Sequence, residues 1–250
     1  MEIINIAYKN RTIYCKLYMP EGNKNFPAII MSHGYNGSAE DWNKECEYYA
    51  RHGYIAVSYD FTGGSAGSRS EGFTSKDMTI FTEKEDLNAV LDYVQGLAKV
   101  DKKRIYLFGG SMGGLVTALV ADERKADVLA IIMYYPAFCI PDNWREHFKS
   151  LEEVPEDFDF WGLTLGRDFV ESIRDFDIFD NIGSFEGCVF ILHGDEDSIV
   201  PLSYSDKVGS VYNSAKLWIL KGEAHGFSPK GAEFAMKEVL KFMGEADCRK

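Results

Sequence analysis

Compact apolar runs, each closing on a loop that carries glycine, histidine or aspartate, recur along most of this chain. Ala28–Ser32, Tyr54–Tyr59, Arg104–Phe108, Val128–Tyr135, Val189–Leu192 and Lys216–Leu220 are of this kind. Runs this short and this continuously apolar read as strands buried on both faces. Segments of helical spacing lie between them. Asp41–Arg51 sets Trp42, Cys46 and Tyr49 on one face, and Leu87–Leu97 does the same with Leu87, Val90, Leu91 and Val94. Leu115–Val120, Ser203–Val211 and Gly231–Met243 read likewise. Strands that alternate with helices call for right-handed crossovers, hence a mostly parallel central sheet with helices on both faces. The predicted class is α/β.

Two stretches depart from this rhythm. Ile3–Tyr8 and Thr12–Tyr18, split by Lys9-Asn10-Arg11, read as an N-terminal hairpin. From Pro136 to about Gly183 the chain is rich in acids and aromatics (Trp144, Phe158, Phe160, Trp161, Phe169) and shows no clean strand. This predicts a small lid at about 136–183, inserted into a single domain spanning 1–250.

The formal net charge of −12 repels phosphate backbones and anionic lipid surfaces, and no basic stripe offsets it. Neither nucleic-acid nor membrane binding is expected. No apolar run approaches the roughly 18–20 residues that span a bilayer. The start, Met1-Glu2-Ile3-Ile4-Asn5, lacks the pattern of a secretory signal, so a cytoplasmic protein is expected. The five cysteines (Cys15, Cys46, Cys139, Cys188, Cys248) are scattered without a CxxC pair. They suggest neither a zinc site nor a disulfide framework and fit a reducing compartment. Cys188, in an apolar run, reads as a small core residue.

Chemistry enters at Gly109-Gly110-Ser111-Met112-Gly113, between an apolar strand and a helix. A serine among glycines at a sharp strand-to-helix turn has strained backbone angles and holds its hydroxyl above the carboxyl edge of the sheet. A serine hydroxyl is a weak nucleophile and needs an adjacent base, itself oriented by a carboxylate. His225, in the loop after the last strand, lies at the same sheet edge. The carboxylate belongs after the preceding strand, where Asp195 and Asp197 compete. Asp195 follows Gly194 closely and suits the turn amides, whereas Asp197 sits deeper and is favoured. Developing negative charge needs N–H donors. Met112, after the serine, supplies one and Tyr35, in His33-Gly34-Tyr35, the other. His33 and His193, each in a His-Gly turn, read as structural, and His52 and His147 as surface residues. Gly63-Gly64-Ser65-Ala66-Gly67 lacks the lysine of a phosphate loop and the order of a dinucleotide site, so it reads as a turn bordering the site at most. No metal-ligand spacing appears, and no metal or cofactor is expected.

Assembled in the order Ser111, Asp197, His225, these residues resemble the α/β-hydrolase superfamily of serine esterases, lipases and peptidases, over about residues 10–243. His33-Gly34, Gly109–Gly113, the string His193-Gly194-Asp195-Glu196-Asp197-Ser198-Ile199-Val200-Pro201, and His225 before Gly226-Phe227 carry the likeness. Within the superfamily the chain is similar to bacterial feruloyl (cinnamoyl) esterases, through Asp60-Phe61, Gly67-Ser68, Met78-Thr79 and Leu163-Thr164-Leu165-Gly166. These are intracellular enzymes with a short lid after the sixth strand.

The resemblance implies an α/β-hydrolase fold and a serine carboxylesterase acting through an acyl-enzyme on aromatic esters. It implies that Asp142, near the start of the lid, contacts a phenolic hydroxyl, and that Trp144, Trp161 and Phe169 line the acyl site or pack the lid down. Phe169 stands where a tyrosine is expected, a departure that bears on hydroxycinnamate recognition. A general short-chain esterase or an acyl thioesterase shares the chemistry. An oligopeptidase-type enzyme needs a gating domain that this length does not hold, and an intact triad argues against a non-catalytic ligand-binding relative. The expected partner is a small ester, and exposed lid aromatics would suit a homodimer contact.

Overall fold

A computed structural model describes residues 1–247, so the thiol of Cys248 lies outside the described residues. Eight strands form one sheet: β1 (Glu2–Tyr8), β2 (Arg11–Tyr18), β3 (Phe26–Ser32), β4 (Ile55–Tyr59), β5 (Val100–Gly110), β6 (Ala130–Tyr134), β9 (Cys188–Gly194) and β10 (Ala215–Leu220). Their order is β1-β2-β4-β3-β5-β6-β9-β10. β1 pairs antiparallel with β2, and β2 with β4; every pairing from β4 to β10 is parallel. This is the α/β-hydrolase fold.

Residue alternation along each strand loads both faces. Ile30, Leu107, Ile131 and Ile191 pack with α2 (Ile80–Gly96) and α3 (Met112–Glu123). Ile29, Phe108, Ile132 and Phe190 pack with α1 (Asn43–Arg51) and α7 (Pro229–Asp247). α6 (Leu202–Val211) joins the first face through Val208. Because the parallel strands run the same way, the loops after β3, β5, β9 and β10 collect at one sheet edge. No helix among the described residues is long and apolar enough to cross a membrane.

The segment between β6 and β9 corrects one expectation, since it contains a two-stranded hairpin, β7 (Asp157–Phe160) with β8 (Leu163–Gly166). The turn residues Trp161 and Gly162 have φ of 41° and 84°. Two central residues with positive φ are the signature of a tight hairpin turn whose twist matches the strands. Two helices, α4 (Ile140–His147) and α5 (Arg167–Ile173), flank the hairpin. α2 also starts earlier than its apolar spacing predicts, at Ile80, where Thr79 caps the helix by accepting the Thr82 amide. Cys188, expected in the core, is the half-buried first residue of β9.

Candidate active site

Ser111 stands at the end of β5 with φ 54° and ψ −121°. Such a conformation costs a non-glycine residue about 1–3 kcal/mol and persists only where the surroundings enforce it. Here they do. The Ser111 amide donates to the Tyr134 carbonyl at 2.9 Å, and its carbonyl accepts the amides of Gly114 and Ala137 at 3.0 Å each. The neighbouring glycines are required by space: a Cβ on Gly109 would lie 2.1 Å from the Gly113 carbonyl oxygen, and one on Gly113 would lie 2.3 Å from that of His33.

His225 Nε2 lies 3.1 Å from Ser111 Oγ, and His225 Nδ1 lies 2.8 Å from Asp197 Oδ2. The Asp197 side chain is fully buried. Its other oxygen accepts the Ile199 and Val200 amides at 2.9 Å each. Burial alone would raise this carboxyl. The Val200 amide and the His225 imidazole outweigh burial and hold the carboxyl below its ordinary value, so it stays ionised. Asp195 takes the other expected duty and accepts the Gly222 amide at 2.7 Å. The loops carrying Asp197 and His225 are joined again where the Glu196 amide donates to the Glu223 carbonyl at 3.0 Å. Glu223 in turn accepts the Ser228 hydroxyl at 2.7 Å, which fixes the far side of the histidine loop. Tyr135 packs on the His225 ring with centroids 4.5 Å apart.

Met112 opens α3, and the first amides of a helix have no partner within it. The loop after β3 is pressed against the serine, since a Cβ on Gly34 would lie 3.1 Å from Ser111 Cβ. That contact sets Tyr35 and Met112 on the rim of the same cavity as Ser111. His33 is fully buried behind them, accepting the Phe61 amide on Nε2 at 3.0 Å and donating from Nδ1 to the Gly34 carbonyl at 2.7 Å. Burial lowers its pKa and keeps it neutral, a structural role as expected. The Gly63–Gly67 turn is joined to this loop, its Gly64 carbonyl accepting the Asn36 amide at 3.2 Å.

Two spaces meet at Ser111. One is a cavity of about 260 Å³ walled by Trp144, Phe160, Trp161, Phe169, Ile140 and Val200. The other is an open groove of about 810 Å³ bordered by His225, Tyr135, Phe227, Glu45, Asp41 and Trp42. Trp144 and Phe169 are buried, whereas Trp161 at the hairpin tip is 65% exposed. Asp142 corrects the sequence reading. It lies off the apolar cavity, hydrogen-bonded to the Tyr204 hydroxyl and paired with Arg145.

Its neighbour Asn143 and, one turn on, His147 line the apolar cavity instead. Both are exposed, as read for His147, yet they form part of its wall. Pro141 in the first turn and basic residues in the last were the sequence signals for α4, the helix that turns this face inward. His193 is the other residue whose place the sequence did not reveal: it is fully buried and its Nε2 lies 3.1 Å from Asp197 Oδ2. Its signal was the four-residue spacing to Asp197.

Residues 23–159 match the model of the family described as serine aminopeptidase, S33. The chain belongs to that family of α/β-hydrolases. The matched span of this hydrolase contains Ser111 and stops short of Asp197 and His225. It is 24% identical over 273 residues to the bifunctional esterase/perhydrolase DCH of Acinetobacter calcoaceticus, an alignment covering 90% of this chain and 95% of that one. It is 23% identical over 263 residues to the putative carbamate hydrolase RutD of Variovorax paradoxus, with the same coverage of 90% and 95%. Among solved structures it is similar to Est1E of Butyrivibrio proteoclasticus with ferulic acid bound, at a TM-score of 0.89 and 27% identity over 98% of this chain and 99% of that one.

Proposed function

We propose that this hydrolase is a serine carboxylesterase for aromatic acyl groups, hydroxycinnamoyl esters such as feruloyl being the specific case. The reading is carried by the hydrogen-bonded chain from Ser111 through His225 to Asp197, at 3.1 and 2.8 Å, placed where an apolar cavity meets an open groove. Ser111 Oγ attacks the ester carbonyl while His225 Nε2 takes its proton, and Asp197 holds the imidazole in the required tautomer. The Tyr35 and Met112 amides receive the oxyanion. His225 borders the groove and not the apolar cavity, so the alcohol leaves on the groove side with the proton from Nε2. The acyl group then occupies the apolar cavity until water attacks by the reverse route.

Aromatic walls support the acyl assignment, as does the likeness to a structure that holds ferulic acid. No acidic residue lines the cavity among the described residues, so the ammonium of a peptide N-terminus would find no counter-charge there. With Asp142 turned away, Asn143 and His147 are the side chains offered to a phenolic hydroxyl.

Turnover and fluorophosphonate labelling of Ser111→Ala test the catalyst. Loss of labelling and a fall on the order of 10⁶ in kcat are expected, as when other triads lose a member; near-normal turnover rejects the reading. A panel of methyl ferulate, methyl cinnamate, p-nitrophenyl acetate and an acyl-CoA tests the acyl class. Methyl ferulate should exceed p-nitrophenyl acetate in kcat/KM. A preference for the acetate removes the aromatic assignment, and a preference for the CoA ester makes the enzyme a thioesterase.

A further inference from the structure

Asp197 is shared by two histidines. Its Oδ2 lies 2.8 Å from His225 Nδ1 and 3.1 Å from His193 Nε2. His193, at the end of β9, is fully buried, and its Nδ1 lies 2.7 Å from Ser205 Oγ on α6, which is also fully buried. His193 Nε2 lies 3.0 Å from the Val200 carbonyl as well. A carbonyl and a carboxylate only accept, so Nε2 must carry the proton and Nδ1 must accept from the Ser205 hydroxyl. Ser205 thereby fixes the tautomer that aims a donor at the triad carboxylate.

We propose that His193 and Ser205 are positioning residues that act through Asp197 on His225, locking the carboxylate so that Oδ2 faces the catalytic imidazole. The inference rests on the esterase reading. A neutral donor suits this place. Burial lowers the His193 pKa, against the pull of Asp197, so the ring supplies a hydrogen bond without charge. A second cation here would oppose the imidazolium that forms on His225. Besides the two histidines, Tyr135 and Cys139, on the chain that leaves β6, also sense the charge of Asp197. Burial raises both, Cys139 to about 11, so they stay neutral around pH 7. His193 also withdraws electron density from Oδ2 and so moderates how strongly Asp197 holds the proton of His225.

The test compares His193→Leu, His193→Gln and Ser205→Ala, reading kcat and KM for p-nitrophenyl acetate between about pH 5 and 9, per fluorophosphonate-reactive site. His193→Leu should lower kcat by about 10- to 100-fold with KM within about twofold. It should also move the acid limb to higher pH, because Asp197 then holds the His225 proton more tightly. His193→Gln should restore most of kcat and the wild-type limb, since its amide reaches the place of Nε2. Ser205→Ala should shift both readouts in the same direction by less. Wild-type kcat per site and an unmoved limb in His193→Leu or Ser205→Ala overturn the proposal, whatever happens to Tm. If His193→Leu does not fold, Ser205→Ala decides by the same two readouts. Ser111→Ala, run in parallel, separates the premises: persistent turnover there defeats the esterase reading and the positioning role with it, whereas lost turnover there beside an unchanged His193→Leu defeats the positioning role alone.

Discussion

Asp195 and Asp197 lie in one loop, and their hydrogen bonds give them opposite duties. Asp195 ties the Gly222 amide, while Asp197 faces His225. Asp197→Asn should therefore lower kcat by about 10⁴-fold, because the amide favours the wrong imidazole tautomer. Asp195→Asn keeps an acceptor for the Gly222 amide and should retain most activity. Equal losses in steady-state kinetics of the two variants would contradict the assignment. Gly34→Ala probes the other side of the serine. The added methyl meets Ser111 Cβ at 3.1 Å, so the nucleophile must shift by a few tenths of an ångström. A loss of about 10-fold or more in kcat with nearly unchanged Tm is expected, and unaltered kcat counts against a tight oxyanion loop. Ser111, Asp197 and His225 were legible in the sequence because each sits in a loop that follows a strand, where chain order alone brings the loops together. The contact of His193 with Asp197 was not legible, since it depends on the aim of a ring buried at the end of β9.

At the scale of elements, the β7–β8 hairpin is pinned to the oxyanion loop. The Tyr35 hydroxyl donates to the Phe160 carbonyl at 2.6 Å, and Asn36 Nδ2 donates to the Trp161 carbonyl at 3.3 Å. In the proposed function Tyr35 has two roles, its amide toward the oxyanion and its hydroxyl toward the lid. Tyr35→Phe separates them. KM for methyl ferulate should rise several-fold as the hairpin loosens, whereas kcat for p-nitrophenyl acetate should stay within about twofold, because the backbone donor remains. A matching loss for both substrates would mean that the hydroxyl serves the oxyanion loop rather than the lid. The hairpin escaped the sequence reading because its strands are four residues each, Asp-Phe-Asp-Phe and Leu-Thr-Leu-Gly, among acids and aromatics that resemble a loop. The first half of α2 escaped for a different reason. It buries Glu83 and Asp86 where helical periodicity calls for apolar residues, so the stripe is visible only from Leu87 onward.

Those buried acids matter for the molecule as a whole, because they link stability to pH. Asp86 is pushed up to about 6 by burial, even though Thr62 and Arg11 favour its charged form. Glu83 is raised well above the ordinary glutamate range by burial and then by Asp86, and neither of its oxygens has a hydrogen-bond partner among the described residues. A carboxyl whose folded pKa is raised is held in its protonated form by the fold. The folded state then binds more protons than the unfolded chain over the interval between the two pKa values. For Asp86 that interval runs from 3.8 to about 6, and for Glu83 it begins at 4.5 and extends higher. Stability should fall as pH rises through these windows, the reverse of a salt-bridged surface carboxylate. Glu83→Gln replaces the acid with a neutral group of the same shape. Its Tm should match the wild type well below pH 4.5, where Glu83 is protonated in both the folded and the unfolded chain. Toward about pH 8 it should pull ahead, by about 2–4 °C for each kcal/mol of relieved penalty in a chain of this size. Thermal melts across that range decide the matter: parallel Tm curves for the two proteins would mean that Glu83 does not carry the proton the fold assigns to it.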